Sequence, residues 1–445
     1  MRFKPVLYRN ATKQNQVVVT GPFTMNIPPN GVLEASSHPF VRSLNGVFKP
    51  MIPLYEFLKA NPRAKVAIHR GYALGDVIMC FVAARMVAAH FPAADVSFCT
   101  AQRFQDVFKV ADPKVRCLGT EEIPKGMDYA ITLDGVLEKD HADGLDPWSK
   151  KHRLILALEA LGFPEDKLPK VGLEVPWFFK LGADAEAFAL DWFKRFIQVE
   201  PNGHRVALAF QIKGSTAAKE IPREVMEKVT REVAEFIDVV LIGYRADEGW
   251  AGDRIHHAFG LKTRYVMEIL RRCIGVVCFD SGVFWMAHVV NTLPFLLLGP
   301  THADARVHLF PRGTPIPKLE TNKIIDCRTC GEFGSRCKRT YKCIREVPID
   351  ALRFFIFSNL GRIMAKRHIS YDIIRKVNRR CVDIKRKYTE FMGPADWSKI
   401  TPTSIGVLQS FFDQLASRKR QPSEERSSAA RALYLKSLLT HSESM

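Results

Sequence analysis

The residues best able to do chemistry lie in three glycine-bearing turns. In Arg70-Gly71-Tyr72-Ala73-Leu74-Gly75-Asp76, a carboxylate follows a short apolar run and stands where a helical pattern begins. An acid at that point either caps the helix or faces a cleft and does chemistry. Gly71 and Gly75 let the backbone pass close to a ligand or to another segment. In Phe279-Asp280-Ser281-Gly282, a strand pattern ends and another helical pattern follows. Main-chain N–H groups and the Ser281 hydroxyl can cradle a diphosphate there, or the turn is simply a capped helix start. The third turn, Gln211 to Pro222, carries Gly214, Ser215, Thr216 and two lysines. Lys213 or Lys219 would neutralise a leaving diphosphate, although exposed loop lysines are also common.

Four clustered thiols form a further candidate site: Cys327, Cys330, Cys337 and Cys343. One C-x-x-C pair with two more cysteines can hold zinc or iron tetrahedrally as a structural metal. The second pair lacks tight knuckle spacing, so four reduced cysteines in a basic loop is the other reading. Cys80, Cys99, Cys117, Cys273, Cys278 and Cys381 sit in apolar contexts and read as small buried hydrophobes.

These turns need a scaffold. Strand patterns at Val66–Ile68, Asp95–Phe98, Val115–Leu118 and Tyr129–Leu133 alternate with helical patterns at Asp76–His90 and Lys151–Leu161. Asn202-Gly203-His204 reads as a joint. After it come strands at Val206–Phe210, Val239–Ile242, Gly275–Phe279 and Phe295–Leu298. Helices are expected between them at Arg223–Phe236, Thr263–Arg272 and Phe284–Val290. Such alternation predicts parallel sheets covered on both faces, in two halves with a ligand cleft between them. Gln16–Gly21 and Phe23–Ile27 read as short strands of an N-terminal β extension. The expected division is residues 1–60, 61–200, 201–352 and 353–445.

A chain of 445 residues has room for such an arrangement. Its net charge of +18 favours an anionic partner. Residues 353–445, a basic segment expected to be helical, hold 18 Lys and Arg against 8 Asp and Glu, about half of that excess. There Arg375-Lys376, Arg379-Arg380 and Lys385-Arg386-Lys387 recur at a near-helical interval, with Tyr371, Tyr388 and Trp397 interspersed. They make either a phosphate-binding stripe or a solvated helix face. No signal-peptide pattern or apolar run of transmembrane length is present, so a cytoplasmic protein is expected, peripheral at most to the inner face of a membrane.

In their order along the chain, these motifs resemble the heptosyltransferase-type glycosyltransferases (glycosyltransferase family 9), which use ADP-heptose to build lipopolysaccharide core. The resemblance runs from about residue 64 to 355. It rests on Arg70 to Pro92, Gln211 to Pro222, Asp280-Ser281-Gly282, Gly299-Pro300-Thr301 and the cysteines at 327–343. It implies two Rossmann-like domains of the GT-B type, the first for the acceptor and the second for a nucleotide-diphosphate sugar. It also implies inversion without a catalytic metal. Asp76 would be the general base, and Lys219, or else Lys213, would bind the diphosphate with Asp280, Ser281, Gly282 and Thr301. Gly243 with Asp247 or Glu248 would lie near the nucleoside, and Arg70, Gly71 and Gly75 near the acceptor. One departure is clear. The family places a histidine three residues after the glycine of Asp-Ser-Gly, and Trp285 stands there. Trp285 would stack on the donor or pack in the core, and its apolar neighbours Phe284 and Met286 favour packing.

Three functions follow. The first is sugar transfer to a hydroxyl of an anionic acceptor such as lipopolysaccharide core. The second is sugar transfer to a hydroxylated base of DNA. The third is a non-catalytic binding or assembly protein that keeps the fold.

Overall fold

The computed structural model describes residues 6–10, 16–20, 23–27, 32–35, 48–50 and 53–392, apart from 120–126, 135, 138–150, 171–174, 201–202, 204, 215, 244–248, 302, 308, 310–315, 325–339 and 368. The N-terminal segment is β-rich, as expected. Strands β1 (Val6–Asn10), β4 (Val32–Ala35) and β5 (Phe48–Pro50) form one antiparallel sheet. Strands β2 (Gln16–Thr20) and β3 (Phe23–Ile27) form a hairpin.

Helix α1 (Leu54–Ala60) leads into the first α/β unit, which continues with β6 (Lys65–His69), α2 (Leu74–His90), β7 (Asp95–Thr100), α3 (Gln102–Ala111), β8 (Val115–Gly119), β9 (Tyr129–Thr132), α4 (Arg153–Ala160) and α5 (Ala183–Phe196). Its four strands are parallel in the order β8-β7-β6-β9. No charged residue follows Asp76 in α2 until Arg85, and Val77 to Ala84 are all buried. A helix that is apolar all round must be covered all round, and α2 lies among β7, α4 and a helix of the second unit.

The second unit comprises β10 (Ala207–Gln211), α6 (Arg223–Ala234), β11 (Asp238–Gly243), β12 (Ile255–Phe259), α7 (Thr263–Arg272), β13 (Gly275–Phe279), α8 (Gly282–Val289), β14 (Pro294–Leu298), α9 (Asp304–Val307), β15 (Lys318–Glu320), α10 (Thr321–Ile324), α11 (Lys342–Arg345), α12 (Ile349–Lys366) and α13 (Tyr371–Met392). Its six strands are parallel in the order β12-β11-β10-β13-β14-β15. Numbered within the unit this is 3-2-1-4-5-6, the doubly wound order. Two Rossmann-like units are therefore present.

Strand β10 shows how the units join. Its side chains alternate between two faces. Ala207 and Ala209 belong to a core that runs on through α7 and α8 into α2 and the first sheet. Leu208 and Phe210 belong to a second core on the other face, with Phe354, Phe355 and Phe357 of α12. The halves thus share a continuous apolar seam.

Three expectations need correction. The boundary at residue 353 falls inside α12, which is built into the second core, with the Phe295 and Phe355 rings 6.3 Å apart. Helix α13 packs on α12 in turn, and Arg380 reaches Glu232 of α6 at 3.2 Å. The basic charge of this segment had masked its apolar face. Helix α2 starts at Leu74, two residues ahead of Asp76, because Ala73 takes a left-handed φ of 62° and ends the turn early. Helix α8 starts at Gly282 rather than Phe284. Among the described residues no helix is long and apolar enough to cross a membrane.

Candidate active site

Ligands of doubly wound sheets bind beyond the carboxyl ends of the strands, where the strand order reverses. In the first sheet that point lies between β6 and β9, and in the second between β10 and β13. Residues beyond the ends of β6, β10 and β13 line one cavity of about 530 Å³. The first unit contributes Ala73, Leu74, Gly75, Asp76, Arg103, Phe104 and Arg153. The second contributes Gln211, Lys213, Gly214, Lys219, Gly243, Asp280, Ser281, Gly282, Trp285 and Arg306, among others.

Asp76 sits in the first turn of α2 and is not its cap. Its carboxylate accepts a hydrogen bond of 3.0 Å from Arg70 Nη2 and keeps 24% side-chain exposure. Arg70 is fully buried. It also donates to the carbonyls of Leu133 (3.0 Å) and Tyr72 (3.2 Å), and its Nε lies 3.7 Å from Asp134. Asp134 accepts from the Gly71 amide at 3.0 Å and lies 3.3 Å from His69 Nδ1. Arg70 is thus a fixed cation between two carboxylates, and its charge-assisted bond orients Asp76 at the cavity wall. An ionised carboxylate so placed can accept a proton from a bound hydroxyl.

The opposite wall is cationic. Asp280 is buried and accepts from Arg306 Nε (2.5 Å), Arg306 Nη2 (3.0 Å) and Thr301 Oγ1 (2.8 Å), with Lys219 Nζ 3.6 Å away. Burial alone would push the Asp280 carboxyl up. The charges of Arg306 and Lys219 and the bonds from Arg306 and Thr301 outweigh burial, and hold it well below the usual carboxylate range. Arg306 and Lys219 face the Asp280 carboxylate at this wall, and Lys213 lines the cavity with them. The Asp280 carboxylate and the Thr301 hydroxyl are turned onto Arg306 and each other, so they position the cation. The Ser281 hydroxyl accepts from the Val283 amide at 3.2 Å and caps α8, and it donates to Gln211 Oε1 at 2.6 Å. Gln211 Oε1 also accepts from the Phe279 amide at 3.2 Å, which ties the ends of β10 and β13 together.

Trp285 packs in the core, but across the seam between units. It is 3% exposed, sits against Gly75, and meets His152 edge-on at 5.4 Å. Gly243 ends β11 at the cavity. Asp247 and Glu248 lie outside the described residues, as do Cys327, Cys330 and Cys337. Cys343 is buried in α11. Among the described residues no group of His, Cys, Asp and Glu could hold a metal ion.

Sequence reasoning missed Arg306, Arg103 and Arg153, and gave Gln211 no role. The need of a buried Asp280 for a cation was the one available signal for Arg306, and it does not say which arginine answers it.

No protein-family profile and no curated protein sequence matches the chain. Solved structures do. The chain is similar to the ADP-heptose lipopolysaccharide heptosyltransferase II of Escherichia coli, with 15% identity, 57% of this chain and 89% of that one covered, and a TM-score of 0.44. It is similar to a family 9 glycosyltransferase of Veillonella parvula, with 13% identity, 64% and 94% covered, and a TM-score of 0.41. It is also similar to the iron-containing dodecameric glycosyltransferase TibC of enterotoxigenic Escherichia coli, with 14% identity, 80% and 91% covered, and a TM-score of 0.48.

Proposed function

We propose that this protein is an inverting, metal-independent glycosyltransferase that moves a sugar from a nucleotide-diphosphate sugar to a hydroxyl of an anionic acceptor. The observation that carries the reading is the meeting of Asp76 with Lys219 and Arg306 in one cavity, at two opposed switch points. Asp76 removes the acceptor proton as the oxygen attacks the anomeric carbon. The bond to the diphosphate breaks on the opposite face. Lys219, Lys213 and Arg306 stabilise the charge that develops there, together with the amides at the start of α8. Base on one face and leaving group on the other give inversion. ADP-heptose is the donor that the motif resemblance implies. The net charge of +18, and Arg103 and Arg153 on the acceptor side of the cavity, favour an anionic acceptor such as lipopolysaccharide core at a cytoplasmic membrane surface.

Asp76→Asn tests the reading. Transfer from ADP-heptose, followed as ADP release, falls by roughly 10²- to 10⁴-fold, the range for loss of a general base. Stabilisation of the fold by ADP-heptose in a thermal-shift assay persists. Full activity in this variant overturns the assignment.

A second reading, a sugar transferase acting on DNA, rests on α13. Arg375, Lys376, Arg379, Arg386 and Lys387 are exposed along it. It requires a salt-dependent shift of duplex DNA in a gel, and no binding at low salt removes it.

A further inference from the structure

A second cavity, also of about 530 Å³, lies where α5 packs on α7. Glu186, Leu190, Phe193 and Lys194 line it from one face of α5. Glu268, Arg271 and Arg272 line it from the last two turns of α7, and Arg205 closes it from the segment before β10. It is separate from the cavity above. Thr263 and Val266, in the first turn of α7 and the one after it, line that one, about 12 and 7.5 Å along the axis from Arg271 at 1.5 Å per residue.

The cations here are fixed, and two of the four lie beside a carboxylate. Arg271 donates to the Phe179 carbonyl at 2.7 Å, Arg272 to the Glu186 carbonyl at 3.4 Å, and Arg205 to the Ile197 carbonyl. Main-chain carbonyls hold guanidinium groups in place without cancelling their charge. Glu268 does pair with Arg271 at 2.6 Å, and Glu186 lies 3.8 Å from Arg272. Among the described residues, no carboxylate lies within ion-pair distance of Lys194 or Arg205. Four cations therefore face two carboxylates beside an apolar wall of Leu190 and Phe193.

We propose that this cavity is a second anion site, which takes a phosphate-bearing small molecule at the seam of α5 and α7. Arg205 and Arg272 would hold the phosphate, Lys194 would close over it from the rim, and Leu190 with Phe193 would meet an apolar or ring portion.

Inorganic pyrophosphate is the probe, titrated calorimetrically into the full chain at low salt. The expected result is two sites in the wild type. Lys213→Met/Lys219→Met leaves one site, and Arg205→Gln/Arg272→Gln leaves the other. Lys194→Glu, at an exposed side chain, weakens the second site about tenfold or more and keeps the test decisive should the arginine variant fail to fold. Unchanged pyrophosphate binding in Lys194→Glu, or in a folded Arg205→Gln/Arg272→Gln, overturns the site, as does complete loss of binding in the lysine variant. A single wild-type site that survives the lysine changes and is lost in the arginine variant upholds this cavity and counts against the first one as a diphosphate site.

Discussion

The indole of Trp285 fills the space that any side chain at position 75 would need: a Cβ built on Gly75 lies 2.5 Å from Trp285 Cδ1. Gly75 belongs to the first unit and Trp285 to the second, so this contact sets how closely α2 approaches α8. Alanine at position 75 would favour the helix by about 1 kcal/mol. It must also displace a buried ring, and overpacking of that kind costs about 1–3 kcal/mol. Gly75→Ala is therefore expected to lower the urea midpoint. In a Trp285→Leu background the same change is expected to cost little. The coupling shows as non-additivity in the double-mutant cycle, and simple additivity would exclude it.

His288 gives the stability a pH dependence. It is fully buried beside Trp177, with ring centroids 4.4 Å apart, and burial pushes its imidazole down to about 3. In the unfolded chain it titrates near 6.5. Between those values the unfolded chain binds a proton that the native state refuses, so stability falls as the pH falls. The slope is about 1.4 kcal/mol per pH unit once the pH is below about 6, and nothing is contributed above about 7. Urea unfolding at pH 7.5, 6 and 5 reads it directly. His288→Leu is expected to flatten the decline, and an equal decline in both proteins would sink the assignment.

Much of this was legible in the residues, for physical reasons that differ from place to place. The Ser281 cap is visible because a short polar side chain between a strand and a helix has few other uses. The alternation in β10 shows a strand, but not that Ala207 and Ala209 join the core that runs through α7 and α8 while Leu208 and Phe210 join that of α12. That depends on partners more than 50 residues away in sequence. The start of α2 was misplaced because a left-handed alanine, Ala73, carries no compositional mark. A helical segment was expected at residues 353–445, but the apolar face of α12 was hidden because charge summed over that segment outweighs the run from Phe354 to Phe357. Arg306 was out of reach, since a buried arginine looks like any exposed one until its carboxylate is found.

That carboxylate yields the last prediction. Asp280 binds Arg306 through two nitrogens and neighbours Lys219, so Asp280→Asn removes a carboxylate that both cations face. Breaking a buried pair from one side costs about 3–5 kcal/mol. The native carboxyl is held below its ordinary value, so its contribution is complete above an unfolded value of about 3.9 and is lost as the pH falls toward the native one. The stability gap between wild type and Asp280→Asn is therefore expected to stay level from pH 5 to 8 and to narrow below about 4. The loss of one negative charge also makes this wall a better anion host. ADP is expected to raise the melting temperature of the variant by more than it raises that of the wild type. A variant as stable as the wild type, or one that ADP fails to stabilise, would show that Asp280 does not hold this wall of the cavity together.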